Sequence, residues 1–141
     1  MDEVAANLIN LGNVAHALSE HREAFEYFLN ALTVNDKLGR KGGIVTSLSM
    51  LGLEAYALGE YVQSRPYLIR ALGLFEELGN KDWIAIILSC LGDVARALGE
   101  YAQAREYYQR ALAMCEETQQ DQKAKELQRR LEQLDQEEVS K

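Results

Sequence analysis

The stretch Leu88-Ser89-Cys90-Leu91-Gly92-Asp93-Val94-Ala95-Arg96-Ala97-Leu98-Gly99-Glu100-Tyr101 decides the architecture, because it occurs three times. Residues 48–61 read Leu-Ser-Met-Leu-Gly-Leu-Glu-Ala-Tyr-Ala-Leu-Gly-Glu-Tyr, and residues 8–21 read Leu-Ile-Asn-Leu-Gly-Asn-Val-Ala-His-Ala-Leu-Ser-Glu-His. The spacing is 40 residues both times. Working outward, residues 41–80 and 81–120 agree at 20 of 40 positions, and 1–40 agree with 41–80 at 12. Self-similarity at a fixed period of this length marks a stacked repeat array.

Each copy reads as two helices. Val4, Leu8, Leu11, Ala15 and Leu18 step by three and four, as one face of an α-helix does, and Ile84, Leu88, Leu91, Ala95 and Leu98 repeat the pattern. The second helix carries Ala24, Tyr27, Phe28, Ala31, Leu32 and Leu38 on one stripe. Gly59-Glu60-Tyr61 and Gly99-Glu100-Tyr101 separate the helices, with glycine suited to the left-handed residue that ends a helix. The first copy has Ser19-Glu20-His21 there, a poorer cap. Gly39 to Gly43 and Gly79 to Asp82 read as turns between copies. Gly12, Gly52 and Gly92 fall in mid-helix, where glycine costs about 1 kcal/mol against alanine. Such a cost, paid three times, implies close helix crossing opposite the small residues Ala24, Ser64 and Ala104. Pro66 falls inside a second helix and predicts a bend more than a break.

The expected fold is all-α: a right-handed α-solenoid of three helix-turn-helix units, residues 1–40, 41–80 and 81–120, in one domain over 1–141. A capping helix over 121–138 makes about seven helices. Its stripe of Ala124, Leu127, Leu131 and Leu134 suits a terminal element with one packed and one wet face, and is too short for a coiled coil. Asp2 or Glu3 offers a weak helix start, and no cap precedes the first unit. That points to a longer array or to a surface covered by another copy.

Composition excludes several functions. The formal net charge of −7 and pI near 4.9 speak against a nucleic-acid backbone or an anionic membrane as partner. The most apolar stretch, Ile84 to Leu91, is too short for a membrane span. Cys90 and Cys115 form no Cys-x-x-Cys pair, and free thiols in a reducing cytoplasm are expected. No phosphate loop or nucleophile motif is present. His16 and His21 lie five apart across a helix end, and a metal there would need ligands from other repeats. No catalytic, cofactor or metal residue is therefore assigned. Glu20, Glu60 and Glu100 recur once per copy and read as caps or partners of a nearby arginine; Tyr27, Tyr67 and Tyr107 read as packing. Trp83, unrepeated, reads as filling the junction between the second and third units, with exposure at a turn as the alternative.

The order Leu-Gly, Ala, Gly-Glu-Tyr, a small residue, Tyr, a bulky residue (Phe28, Leu68, Tyr108) and Ala-Leu resembles the tetratricopeptide repeat. The 40-residue unit is similar to the long-helix subtype of kinesin light chains, Leu-Gly-Asn-rich adaptors and bacterial signalling proteins. The usual terminal proline is replaced by Asp36, Glu76 and Glu116. The resemblance implies a non-enzymatic scaffold that binds a protein or peptide in a concave groove lined by the first helices. Carried over, that lining is Ala6, Ile9, Asn13 and His16, then Thr46, Ser49, Leu53 and Tyr56, then Ile86, Ser89, Asp93 and Arg96. Asn10, Met50 and Cys90 stand at its edge. Asn10 and Asn13 match the Asn-Leu-Gly-Asn phrase with which such adaptors grip a peptide main chain. Arg96 is the lining's one cation, which argues against a two-carboxylate clamp. The alternative is a self-associating regulatory segment of a larger bacterial signalling or transcription-regulatory protein, a homo-oligomer through the uncapped first repeat.

Overall fold

The computed structural model describes residues 2–140, with the side chain of Asp2 outside the description, so that its reading as a helix start lies outside the described residues. Seven helices follow one another: α1 (Asp2–Ala17), α2 (His21–Leu38), α3 (Lys41–Ala57), α4 (Tyr61–Leu78), α5 (Lys81–Ala97), α6 (Tyr101–Glu117) and α7 (Asp121–Val139). No strand occurs among the described residues. Pro66 sits inside α4, which runs on through it to Leu78.

The linkers are short because one residue reverses each of them. Residues 19, 39, 59, 79, 99 and 119 all have positive φ, between 60° and 77°. At each, the backbone N–H groups that follow return to the carbonyls of the finished helix, as in Glu60 N–H to Ala55 O at 2.9 Å and Glu20 N–H to Ala15 O at 2.9 Å. Four of the six are glycines. Ser19 and Gln119, both at φ 60°, hold the same conformation with a Cβ, which costs an L-residue about 1–2 kcal/mol. The first turn is thus closed by the same bonds as the others, and strained. Ser19→Gly should stabilise the protein by roughly 0.5–1 kcal/mol, after the greater chain entropy of glycine is subtracted. A urea midpoint that fails to rise would contradict this.

The chain forms two compact units, Met1–Leu74 and Phe75–Lys141, and the division falls within α4. In the first unit α2 packs on α1 and on α3. Its core includes Ala5, Ala15, Ala24, Phe28, Ala31, Ile44, Leu48, Leu51, Ala55 and Leu68. In the second, α6 packs on α5 and on α7. Its core is built by Ile84, Ile87, Leu88, Leu91, Val94, Ala104, Tyr108, Ala111, Leu127 and Leu134. The predicted apolar face of α1 departs from its copies. Val4, Leu11 and Leu18 are exposed, whereas Ile84 and Leu91, their equivalents in α5, are buried. Helix α1 buries only a narrow face, through Ala5, Gly12 and Ala15.

The mid-helix glycines do mark close approach, but to the bulky residue of the second helix. A Cβ on Gly12 would lie 2.7 Å from the ring of Phe28, one on Gly92 2.5 Å from the ring of Tyr108, and one on Gly52 would collide with Leu68. The absent side chain makes room for a ring or a branched chain, and the small residues add to this closeness: Ser64 Oγ donates to Gly52 O at 2.6 Å. Trp83 stacks on Phe75, ring centroids 5.3 Å apart and 8° from parallel, and keeps 36% exposure. Glu60 accepts from Arg22 at 2.6 Å, the arginine partner foreseen for that column.

Helix α7 behaves as a cap. Ala124, Leu127 and Leu134 are buried against α6 and its neighbours. Ion pairs run from its outer face to the preceding helices: Glu137 with Arg96, Asp135 and Glu138 with Arg105, and Arg130 with Asp93. Each exposed pair is worth about 0–1 kcal/mol, so the buried leucines carry most of the docking and the charges set its register.

Candidate functional site

In the second unit one cavity of about 220 Å³ gathers Ile86, Ser89, Cys90 and Asp93 from α5, Cys115 from α6, and Lys123, Glu126, Leu127 and Arg130 from α7. The helical spacing explains the α5 contribution: positions 86, 89, 90 and 93 step by three, one and three along a single face. Ala85, Cys115 and Leu127 are buried and form its floor; Lys123 and Glu126 are exposed at its mouth.

The polar groups here are tied to one another. Tyr108, buried over Gly92, donates its hydroxyl to Asp93 Oδ1 at 2.5 Å. Arg130 donates to Asp93 Oδ2 at 3.3 Å and to Glu126 Oε1 at 2.8 Å. Burial pushes the Asp93 carboxyl above the ordinary range, against the pull of the Tyr108 hydroxyl, Arg130 and Arg96. Burial likewise pushes the Cys90 thiol up to about 12, with the Asp93 charge adding to it, so the group is a thiol and a poor nucleophile at neutral pH. A carboxyl whose folded pKa is raised binds its proton more tightly in the folded chain. Its stabilising contribution is therefore present below its unfolded pKa and lost as pH rises through the folded one. The stability gained on replacing Asp93 by Asn should accordingly be more favourable at pH 7 than at pH 4. Urea unfolding at the two pH values checks this, and an unchanged difference would contradict it.

The predicted lining fares differently along the chain. Asn10 and Asn13 are exposed on α1 and Ile9 is half-buried; Leu53 is half-buried and Tyr56 exposed on α3. The Tyr56 ring lies 5.3 Å from that of Tyr61. Ser49 departs from the expectation: it is 2% exposed and its hydroxyl donates to Val45 O at 2.7 Å, so it faces the core. Ser89, its equivalent, is half-buried and lines the cavity. Arg96, read as the one cation, is engaged with Glu137, donating through Nε at 3.0 Å. Lys123 and Arg130 add two cations that sequence reading missed, because α7 was assigned to capping alone. Helix α7 is both cap and wall.

In the first unit His16, from the last turn of α1, and His21, at the start of α2, both turn their Nδ1 atoms to Glu54 of α3. His16 pairs with Oε1, and His21 lies 2.6 Å from Oε2. The Glu54 side chain is wholly buried, while those of His16 and His21 are 48% and 30% exposed. Glu54 was also missed. Its signal was the column itself, which reads Val14, Glu54, Val94.

A family model of the tetratricopeptide repeat matches residues 3–76 and 54–117. No curated protein matches the chain significantly. Among solved structures, the chain is similar to the tetratricopeptide domain of Arabidopsis FLU, with TM-score 0.77 and 18% identity over 82% of this chain and 97% of that one. It is similar to apo RapI, with TM-score 0.88 and 16% identity over 98% of this chain and 50% of that one. It is also similar to the TPR2AB domain of yeast Sti1 in complex with pHSP90, with TM-score 0.71 and 20% identity over 97% of this chain and 51% of that one. These likenesses are of fold, and the chain spans about half the length of RapI and of the Sti1 domain pair. The matched residues take in all three copies of the Leu-Gly phrase, and the chain belongs to the tetratricopeptide repeat family.

Proposed function

We propose that the chain is a protein-interaction module without catalysis, working in the reducing cytoplasm, that binds an extended peptide segment along the inner faces of its first helices. The single observation that carries this is the cavity of the second unit. Ile86, Ser89, Cys90 and Asp93, taken from the family pattern as ligand-facing, line one cavity together. Its size and buried floor suit one medium-sized apolar side chain of the ligand, and its charged mouth suits the ligand's main chain and polar neighbours. In the first unit Asn10 and Asn13 offer exposed amides that both donate and accept, as main-chain recognition requires. The complex of yeast Sti1 with pHSP90 shows that this fold can hold a protein ligand.

The test is to select peptides by phage display against the wild-type protein and measure their affinity for Ser89→Arg and Ile86→Arg. Both changes fill the cavity while leaving the ion pairs of Asp93 intact. At least tenfold weaker binding is expected; unchanged affinity in both variants would sink the assignment.

A second reading, a self-associating regulatory segment of a larger bacterial signalling protein, has its own observation. Val4, Leu11 and Val14 of α1, and Leu18 just after it, are 47–63% exposed. Covering them with a second copy would remove a contiguous apolar face from water. Light scattering over a wide concentration range decides it: a dimer abolished by Leu11→Lys with Val14→Glu supports self-association, and a strict monomer removes it.

A further inference from the structure

We infer that His16, His21 and Glu54 form a binding site for one Zn2+ ion that clasps the turn between α1 and α2 to α3. Three observations converge on these residues. The first is the repeat. At the three columns the copies read His16, Tyr56, Arg96; His21, Tyr61, Tyr101; and Val14, Glu54, Val94. Both histidines of the chain therefore stand where the other copies have no ligand, and the one acid of its column stands opposite them. Three departures from a 40-residue pattern, on three different helices, meet at one point.

The second is burial. Val94 is fully buried in its place, and so is Glu54. A carboxylate in a slot that valine fills elsewhere is costly to desolvate unless something positive meets it. Both oxygens of Glu54 face a histidine nitrogen. A cation held between those rings and the carboxylate would meet its charge directly.

The third is ligand geometry. One atom of each residue lies within 4.8 Å of the other two. A tetrahedral zinc ion, about 2.0–2.2 Å from nitrogen and oxygen ligands, needs them about 3.3 Å apart. Separating His21 Nδ1 from Glu54 Oε2 by that much, from 2.6 Å, requires an opening of about 0.7 Å, and the part-exposed histidine rings can supply it. Two imidazoles and one carboxylate suit Zn2+, and also Cu2+, Ni2+ or Co2+; a tetrahedral arrangement favours Zn2+ among them. They do not suit Ca2+, which needs six to eight oxygens. The rings are exposed on the solvent side, leaving the fourth position to water or to a side chain of a bound protein. The ion would bridge two successive repeats across the turn that holds Ser19 at φ 60°, and so stiffen that linker.

The experiment is calorimetric titration of tag-free, chelator-treated protein with ZnCl2, alongside His21→Ala, His16→Ala and the double variant. The two single changes fall on part-exposed side chains, and circular dichroism confirms that each variant is folded. The proposal expects one ion per chain, a higher melting temperature with zinc, tetrahedral Co2+ absorption bands, and at least about 10–100-fold weaker binding in each single variant. Glu54→Gln, of the same shape, should weaken it equally and serves as the third arm. Absence of saturable zinc binding overturns the proposal, leaving a hydrogen-bonded cluster. Binding retained in the double histidine variant overturns it as well, since the ion then sits elsewhere on the chain.

Discussion

Replacing Tyr108 by Ala should lower the unfolding free energy by about 3–5 kcal/mol, the range for truncating a fully buried aromatic side chain. Tyr108 is 0% exposed and lies against Gly92, where a side chain would otherwise stand. Removing the ring leaves a void that α5 cannot close, because α5 is already as near as a glycine allows. The loss has a second part. Asp93 loses the hydroxyl that bonds it at 2.5 Å and keeps Arg130. Tyr108→Phe separates the two parts: it keeps the ring and should cost about 1.5–3 kcal/mol, the value of a hydrogen bond to a charged group. Urea unfolding followed by circular dichroism measures both. Equal losses in the two variants would show that the hydroxyl, not the ring, is what α5 needs.

The second large effect has opposite signs at two glycines. Gly92→Ala should destabilise by about 2 kcal/mol, since its Cβ would lie 2.5 Å from the Tyr108 ring, and overpacking a filled core costs about 1–3 kcal/mol. The better helix propensity of alanine returns less than about 1 kcal/mol of that. Gly92→Val should cost more. Gly73, also inside a helix, meets nothing within 4 Å, so Gly73→Ala should stabilise by about 1 kcal/mol. Paired melting curves settle the matter. Stabilisation at both positions would mean that the recurrent glycines are tolerated and not required.

The legible part of the chain is what recurs. The paired helices of each copy followed from the step of three and four, and α7 was expected over 121–138 and runs to Val139. The turns between copies were read too long, since Gly42, Gly43 and Asp82 lie inside α3 and α5. A periodic pattern is readable because each copy solves the same local problem and buries the same face. Ile86, Ser89 and Asp93, carried over from the family pattern as lining, share one helix face and stand together at the cavity. Ser49 was misread because its register matches Ser89, yet its environment does not. Lys123 and Arg130 were missed because they lie outside the repeat, where no column exists to compare.

By itself the sequence determined about seven helices, the three mid-helix glycines and the resemblance to the family, since these rest on local spacing and on repetition. The tertiary structure alone decided which side chains meet. It brought Glu54 to His16 and His21 across 38 and 33 residues of chain, committed Arg96 to Glu137, and left Leu11 bare where Leu91 is covered. The physical reason is that helix period sets the direction of a side chain from its own axis, whereas its partner depends on which helix packs alongside. Columns that repeat imply their partners; the departures from the columns acquire theirs only when the helices are packed.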